Sequence, residues 1–146
     1  MLAAEYEPAN PAWQASIGDA HLKLGDLLAA LTAYQHATEL APNEATYWRL
    51  LAIFCAENGV HVEDVGLPAA QKAVALAPDD PLALDSLGWS YLSSGRYANA
   101  EQTLLDVINR FPDHVPAHIH LAMTYLAQGN HTAACNELTY VRNADA

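Results

Sequence analysis

Histidines are the side chains of this sequence best suited to chemistry, and three of the seven lie close together, at His114, His118 and His120. Imidazole is the commonest metal ligand in proteins, but a zinc site also needs its ligands on one face and a matching carboxylate or thiolate. His114 precedes Pro116, which places it before the predicted helix. His118 and His120 lie two residues apart, so they face different sides of that helix. We therefore interpret these histidines as packing or surface residues and predict neither a metal site nor another cofactor.

No other group of residues has the spacing that catalysis requires. Serine, histidine and aspartate all occur, but no motif brings them together, and no glycine-rich phosphate loop follows a predicted strand. The acidic pair Glu63 and Asp64 lies in a predicted loop, where we interpret it as solvated charge. The sequence therefore predicts a protein that is not an enzyme.

The balance of charges narrows the class of partner. The 146 residues include 17 acidic and six basic side chains, which give a formal net charge of −11. Nucleic acids and anionic membrane surfaces both need lysine and arginine to neutralise phosphate, so we predict binding to neither. A basic protein partner is compatible with this charge, although acidity also simply keeps a protein dissolved. With 52% hydrophobic residues, a chain of this length is expected to fold as one domain.

Glycines and prolines recur along the chain at nearly constant intervals. Successive turn glycines are 34, 36 and 34 residues apart, and successive closing prolines are 36 and 34 residues apart. These landmarks are Gly25, Gly59, Gly95, Gly129, Pro42, Pro78 and Pro112. Each interval holds two amphipathic runs joined by a short glycine-containing turn, which predicts a helical hairpin. Within the first run of the third interval, Gly88 predicts a close helix crossing that leaves no room for a side chain.

The third interval also carries Leu87, Tyr91 and Ala100 at fixed distances around Gly88, and this pattern resembles the tetratricopeptide repeat family. The resemblance covers four repeats and nearly the whole chain. It implies an all-α fold, a right-handed superhelical solenoid of antiparallel helical hairpins. On this basis residues 1–10 are an N-terminal lead-in, and the repeats span residues 11–44, 45–80, 81–114 and 115–146. The second repeat contains two extra residues before its second helix.

Helix boundaries are expected at residues that cap or break helices. Asn10, Asp26 and Asn43 each precede a predicted helix and are expected to cap it, as is the Asp79–Asp80 turn. Residues 60–67 are the least regular stretch. Because proline is tolerated only in the first turn of a helix, Pro68 predicts a start near Leu67, and an earlier, kinked start near residue 62 is the alternative.

Two cysteines and the N-terminal residues bear on the compartment. Cys55 and Cys135 lie two repeats apart, which is too far for a disulfide, so we expect reduced, core-type thiols. The first seven residues lack a basic start and a long apolar run, and no run of about 18 apolar residues occurs. We expect a cytoplasmic protein or a soluble domain of a larger one.

In the family that this sequence resembles, the first helix of each hairpin lines a concave groove. The positions that face the groove include a series at the ninth residue of each repeat, which here is Asp19, Ile53, Trp89 and Met123. Contiguous exposed apolar residues usually mark a binding site, and tryptophan is a frequent anchor. The residues expected to contact apolar side chains of a ligand are Ile53, Trp89, Leu92, Ile119, Met123 and Leu126. The residues expected to set its polarity and register are Asp19, Arg49 and Asp85.

The resemblance implies a non-catalytic protein-protein interaction scaffold that binds a peptide or an amphipathic helix in this apolar groove. The alternative is a chaperone-like assembly factor that holds an apolar segment of a secretion or membrane-assembly partner. In a third interpretation, the groove residues cover one another or are covered by the lead-in or a second copy. Some family members clamp a C-terminal carboxylate with lysine, asparagine and arginine. The corresponding residues here lack those groups; they are Ala15, Asp19, Leu50, Leu82 and Ser86.

The last predicted helix carries Leu138 and Val141, and the polar-backed helix that usually closes arrays of this family does not follow it in this sequence. We therefore expect either that this helix frays or that self-association or further chain covers it.

Overall fold

The structure is a computed structural model that describes residues 8–145, and these residues form eight α-helices without a β-strand. The helices pair into four antiparallel hairpins that stack as a solenoid, which is the predicted fold class. They are α1 (Pro11–Lys23), α2 (Leu27–Leu40), α3 (Ala45–Asn58), α4 (Leu67–Leu76), α5 (Pro81–Ser93), α6 (Tyr97–Arg110), α7 (Val115–Ala127) and α8 (His131–Ala144). The first seven residues of the predicted lead-in lie outside the described part of the chain.

Polar side chains cap the N-termini of several of these helices. Asn10, Asp26 and Asp80 accept hydrogen bonds from backbone amides in the first turns of α1, α2 and α5. The prediction that Asn43 caps α3 is wrong. The cap position is taken by Glu44, without a side-chain bond, because α3 begins one residue later than Asn43 requires. The first helices of the hairpins lead into glycines with φ between 64° and 79°, a left-handed conformation that suits glycine and turns the chain back.

The second repeat absorbs its two extra residues as a π-helical turn, Val62–Gly66, which leads directly into α4. Both predicted starts are therefore observed: the π-helical turn begins at residue 62 and α4 begins at Leu67. The turn lies close against α3, since a Cβ atom on Gly66 would be 2.6 Å from the Cβ atom of Cys55. His61, which precedes the turn, has a φ of 48° and bonds to the Asp64 carboxylate.

Helices of neighbouring hairpins pack so that the odd-numbered helices α3, α5 and α7 follow one another, and each even-numbered helix packs on the next odd-numbered one. The core has two parts. One lies in the first two hairpins around Tyr34 and Phe54, and the other in the last two around Leu104 and Leu121. A hydrogen bond from Ser93 to the backbone oxygen of residue 56 joins α5 to α3. The side of the odd-numbered helices that carries the predicted groove residues Asp19, Ile53, Trp89 and Met123 is called the groove face below.

Close crossing within the third hairpin is confirmed. A Cβ atom on Gly88 would lie 2.5 Å from Cδ2 of Leu104, which is fully buried. Within residues 8–145, none of the helices combines the length and the apolar character needed to cross a lipid bilayer.

Candidate functional site

The second half of the groove face is apolar and open. Leu82 of α5 and Ile119, Met123 and Leu126 of α7 expose between 38% and 47% of their surface. Trp89 of α5 is half-buried, and we predict that it lies on the same surface. Because Ile119 and Met123 are four residues apart, they project from α7 on the same side. These five residues are called the apolar groove below.

Two further predicted contacts are less exposed. Leu92 is half-buried and packs against the core of the last two hairpins, and Ile53 of α3 is also half-buried. Leu92 therefore contributes mainly to packing, whereas Ile53 stays partly accessible.

The first half of the groove face is polar. Asp19 is exposed and accepts a hydrogen bond from the hydroxyl of Tyr34. Burial of the Tyr34 ring and this bond together raise the pKa of its phenol. Arg49 of α3 is half-buried, and within the described residues its guanidinium has no hydrogen bond or ion pair. The groove face thus carries the charged side chains of Asp19 and Arg49 on α1 and α3, whereas α5 and α7 expose no charged side chain.

Asp85 occupies a different environment from the other predicted site residues. Only 7% of its surface is exposed, and its Oδ1 atom accepts a hydrogen bond from Nδ1 of His120 at 2.9 Å. Its Oδ2 atom lies 3.8 Å from Nε2 of His114, a buried nitrogen without a hydrogen-bond partner among the described residues. Burial alone would raise the pKa of Asp85, but the interactions with the two histidines outweigh it and hold that pKa below its usual range. Asp85 therefore interacts with two histidines inside the protein and does not present its carboxylate at the surface, where it was predicted to set the polarity of a ligand.

This cluster connects directly to Trp89. The imidazole of His120 stacks on the Trp89 indole with a centroid distance of 4.4 Å and an interplanar angle of 25°. His120 is itself 8% exposed, so the imidazole in this stack is almost fully buried. The His120 ring donates a hydrogen bond to the Asp85 carboxylate from one edge. One face of the same ring stacks on Trp89, the residue predicted to anchor a ligand.

His118 faces the opposite side of α7, as its spacing from His120 predicts. Its Nδ1 atom lies 2.6 Å from a carboxylate oxygen of Glu137 in α8, and its Nε2 atom lies 3.0 Å from the backbone oxygen of Pro112. The ring also stacks on Tyr140 of α8 at 4.0 Å. These contacts fasten α8 to α7.

Metal and thiol chemistry have little support within residues 8–145. No group of three histidine, cysteine, aspartate or glutamate side chains is arranged to hold a metal ion there. Cys55 is buried, and burial raises the pKa of its thiol to about 12, so the thiolate that reacts as a nucleophile is disfavoured. Cys135 is exposed on α8, whereas the sequence predicted a core-type thiol.

The roles of His114 and His120 were not predicted. His114 was placed before the helix, the spacing of His118 and His120 excluded a shared face, and the partner Asp85 lies 35 residues from His120 in the sequence. The one available indication was that Asp85 and His120 fall at neighbouring positions, the fifth and the sixth, of successive repeats. Residues at those positions face each other when the hairpins stack.

Comparison with known proteins identifies what this chain resembles. The family profile described as "Tetratricopeptide repeat" matches residues 15–81, 64–113 and 86–139, which together cover most of the sequence. A curated relative, the TPR repeat-containing protein PA4667 of Pseudomonas aeruginosa, is 49% identical over 49 residues. That stretch is 33% of this chain and 8% of the relative, so this chain corresponds to only a small part of the relative's length.

Solved structures share the architecture at low sequence identity. The type IV pilus biogenesis factor PilW superposes with a TM-score of 0.81 at 19% identity, covering 97% of this chain and 65% of PilW. YrrB, described as a TPR protein with an unusual peptide-binding site, gives a TM-score of 0.71 at 18% identity, covering 97% of this chain and 72% of YrrB. At these identities the likeness establishes the fold.

Proposed function

Because this chain belongs to the tetratricopeptide repeat family, whose members are non-catalytic protein-interaction scaffolds, we propose that it binds an apolar peptide segment or amphipathic helix of a partner protein in the apolar groove. The partner's apolar side chains contact Trp89, Ile119, Met123 and Leu126. Its polar residues lie over the charged half of the groove face, beside Asp19 and Arg49.

The observation that carries this proposal is the row of open apolar side chains on α5 and α7. Ile119, Met123 and Leu126 share one side of α7 by their helical spacing, Leu82 belongs to the neighbouring helix α5, and each of the four exposes more than a third of its surface. Exposed apolar residues that occur singly are ordinary, whereas a contiguous group usually marks a binding surface. An amphipathic helix fits such a surface by inserting side chains at helical spacing.

The charged half of the groove face supports a polarity for the bound segment. Asp19 and Arg49 offer one acidic and one basic group in the first two repeats. By contrast, α5 and α7, both fully described, expose no acidic or basic side chain beside their four open apolar residues. The proposed ligand is therefore apolar at one end and polar at the other. A peptide-binding site has been described for YrrB, which shares this fold, and such a site is compatible with the proposal.

Selection from a random peptide display library tests the groove. We expect selected peptides to carry apolar residues at spacings of three and four, and to lose at least tenfold in affinity for Met123→Lys, because a buried, unpaired ammonium disfavours apolar contact. The matched control is Leu28→Lys, since Leu28 is 74% exposed but belongs to α2, outside the groove face. Isothermal titration measures both. Equal binding by the wild type, Met123→Lys and Trp89→Ala would exclude the groove.

The alternative function is an assembly factor that holds an apolar segment of a secretion or membrane-assembly partner. The fold likeness to PilW, a pilus biogenesis factor, is the observation that favours it. A chaperone-type client that binds only the folded state raises the melting temperature by mass action. Thermal unfolding with and without the apolar segment of such a client separates this function from weak scaffolding, which shifts the melting temperature little.

Self-association through α8 is a further part of the proposal. Leu138 is 44% exposed and Tyr140 37% exposed on this helix. Analytical ultracentrifugation of the wild type and Leu138→Lys tests it: a concentration-dependent dimer that the substitution removes supports the proposal, and a monomer at every concentration excludes it.

A further inference from the structure

The hydrogen bond between Asp85 and His120 determines where the His120 ring can accept another proton. A low pKa keeps Asp85 ionised, and a carboxylate can only accept a hydrogen bond. His120 therefore donates from Nδ1, the atom 2.9 Å from Oδ1 of Asp85. In the neutral ring the remaining nitrogen, Nε2, is then unprotonated. A further proton enters at Nε2 and places a positive charge on the ring that supports Trp89.

The second histidine leaves the cluster incompletely satisfied. Nε2 of His114 is buried without a hydrogen-bond partner in residues 8–145, and it stops 3.8 Å from Oδ2 of Asp85. One oxygen of the carboxylate thus accepts a hydrogen bond from His120, and the other faces the imidazole of His114 beyond hydrogen-bond distance.

Other charged groups near α7 are engaged elsewhere. Glu137 of α8 is bound to His118, on the opposite side of α7. Glu101 of α6 accepts a hydrogen bond from Gln128 at the end of α7. Asp85 of α5 is the titratable group that contacts His120, and His114, from the loop before α7, approaches the same carboxylate.

We propose that His120, oriented by Asp85, is a positioning residue for Trp89 and makes ligand binding in the apolar groove depend on pH. This inference rests on the proposed function, in which Trp89 anchors the ligand. Histidine is the side chain that ordinarily changes charge between pH 5 and 8. Acidification turns the stacked imidazole into an imidazolium, which strengthens its attraction to the indole face.

A positive charge on His120 also disfavours the binding of an apolar ligand. A cation beneath an apolar groove loses hydration when the ligand covers it, which disfavours the bound state. The ligand is therefore bound more weakly at acid pH than at neutral pH.

The first experiment uses the protein without ligand. Substituting Trp13→Phe and Trp48→Phe leaves Trp89 as the single source of tryptophan emission, and Trp89→Phe confirms the assignment. Emission is recorded from pH 8 to pH 5. We expect quenching as the pH falls, because an imidazolium in contact with an indole quenches its fluorescence. His131→Gln, an exposed histidine at the start of α8, is the matched control and should leave the transition unchanged.

Substitutions in the cluster separate positioning from a merely structural role. His120→Phe keeps an aromatic ring beside Trp89 and should abolish the transition. His120→Asn keeps a donor for Asp85 and should also abolish it, which covers the case that the phenylalanine variant fails to fold. Asp85→Asn removes the negative charge that favours protonation, so its transition should move to lower pH. Emission that is independent of pH, or a transition that survives both His120 substitutions, would overturn the inference.

The second experiment measures binding of the displayed peptide with the highest affinity at pH 8 and pH 5. We expect the dissociation constant to rise about twofold or more on acidification, because the ligand then covers a charged ring, and to be constant in His120→Asn. Binding that is equally tight at both pH values overturns the inference and leaves the proposed function standing. Failure of every peptide to bind overturns the proposed function and the pH-regulated binding, while a His120-dependent emission transition still supports the positioning of Trp89.

Discussion

Small residues determine how closely the helices of a hairpin approach each other. Gly88 lies against Leu104, and Gly18 lies against the ring of Tyr34, with virtual Cβ contacts of 2.5 Å and 2.9 Å. Both partner side chains are buried. The glycine in each case admits a large side chain from the second helix, which fills the centre of the hairpin. The close helix crossing at Gly88 could be predicted from the sequence because Leu87, Tyr91 and Ala100 stand around it at the spacing of the repeat.

Adding a methyl group at Gly88 should therefore destabilise the protein. We expect Gly88→Ala to lower the free energy of unfolding by about 1–3 kcal/mol, the usual cost of overpacking a filled core. Urea denaturation followed by circular dichroism measures it. The same substitution in a Leu104→Ala background should cost much less, because the side chain that it meets has been removed. An equal cost in both backgrounds would show that the contact with Leu104 is not the cause.

At the scale of elements, α8 has a different position from the other helices because its extensive packing is on α7 alone. Ala134 is the one residue of α8 that is buried among those described. The pair formed by His118 and Glu137 and the stack of His118 on Tyr140 supplement this small apolar contact. The inner helices bury apolar side chains against two neighbouring helices. In α8 the contacts of His118 with Glu137 and Tyr140 compensate for part of that missing apolar core.

Removing the carboxylate should loosen α8 selectively. We expect Glu137→Ala to lower the opening free energy of residues 131–144 by about 1–3 kcal/mol, because His118 is left buried without its partner. Hydrogen exchange followed by mass spectrometry should show faster exchange in α8 and little change in α3 and α5. Asn136→Ala, an exposed neighbour on the same helix, is the control. Unchanged exchange in α8 would mean that the apolar contacts alone hold it.

Across the entire array, the net charge of −11 is distributed over a thin solenoid in which few basic groups are available to offset it. Arg110 pairs with Asp79 and Asp106, and Arg96 approaches Glu63 at 3.9 Å. Like charges repel in the folded state more than in the expanded chain, so this excess lowers stability.

Screening of the repulsion between acidic side chains by salt should raise the stability of the protein. Raising the sodium chloride concentration from about 0.01 M to about 1 M shortens the Debye length from about 30 Å to about 3 Å, so we expect the melting temperature to rise. The rise should disappear near the sequence pI of 4.7, where the net charge is close to zero. Differential scanning calorimetry at both pH values measures it. A melting temperature independent of salt at neutral pH would show that repulsion is unimportant for stability.

Local sequence was sufficient to predict the period, the all-α class, most helix ends and the close crossing at Gly88, because each depends on residues near one another in the chain. The family resemblance supplied the prediction that Ile119, Met123 and Leu126 face a ligand, and the structure shows that all three are exposed. The burial of Asp85, its bond to His120 and the support that His120 gives to Trp89 became visible only in the folded array. Those contacts join residues about one repeat apart, and whether two such side chains meet depends on how closely successive hairpins stack, which local spacing does not specify.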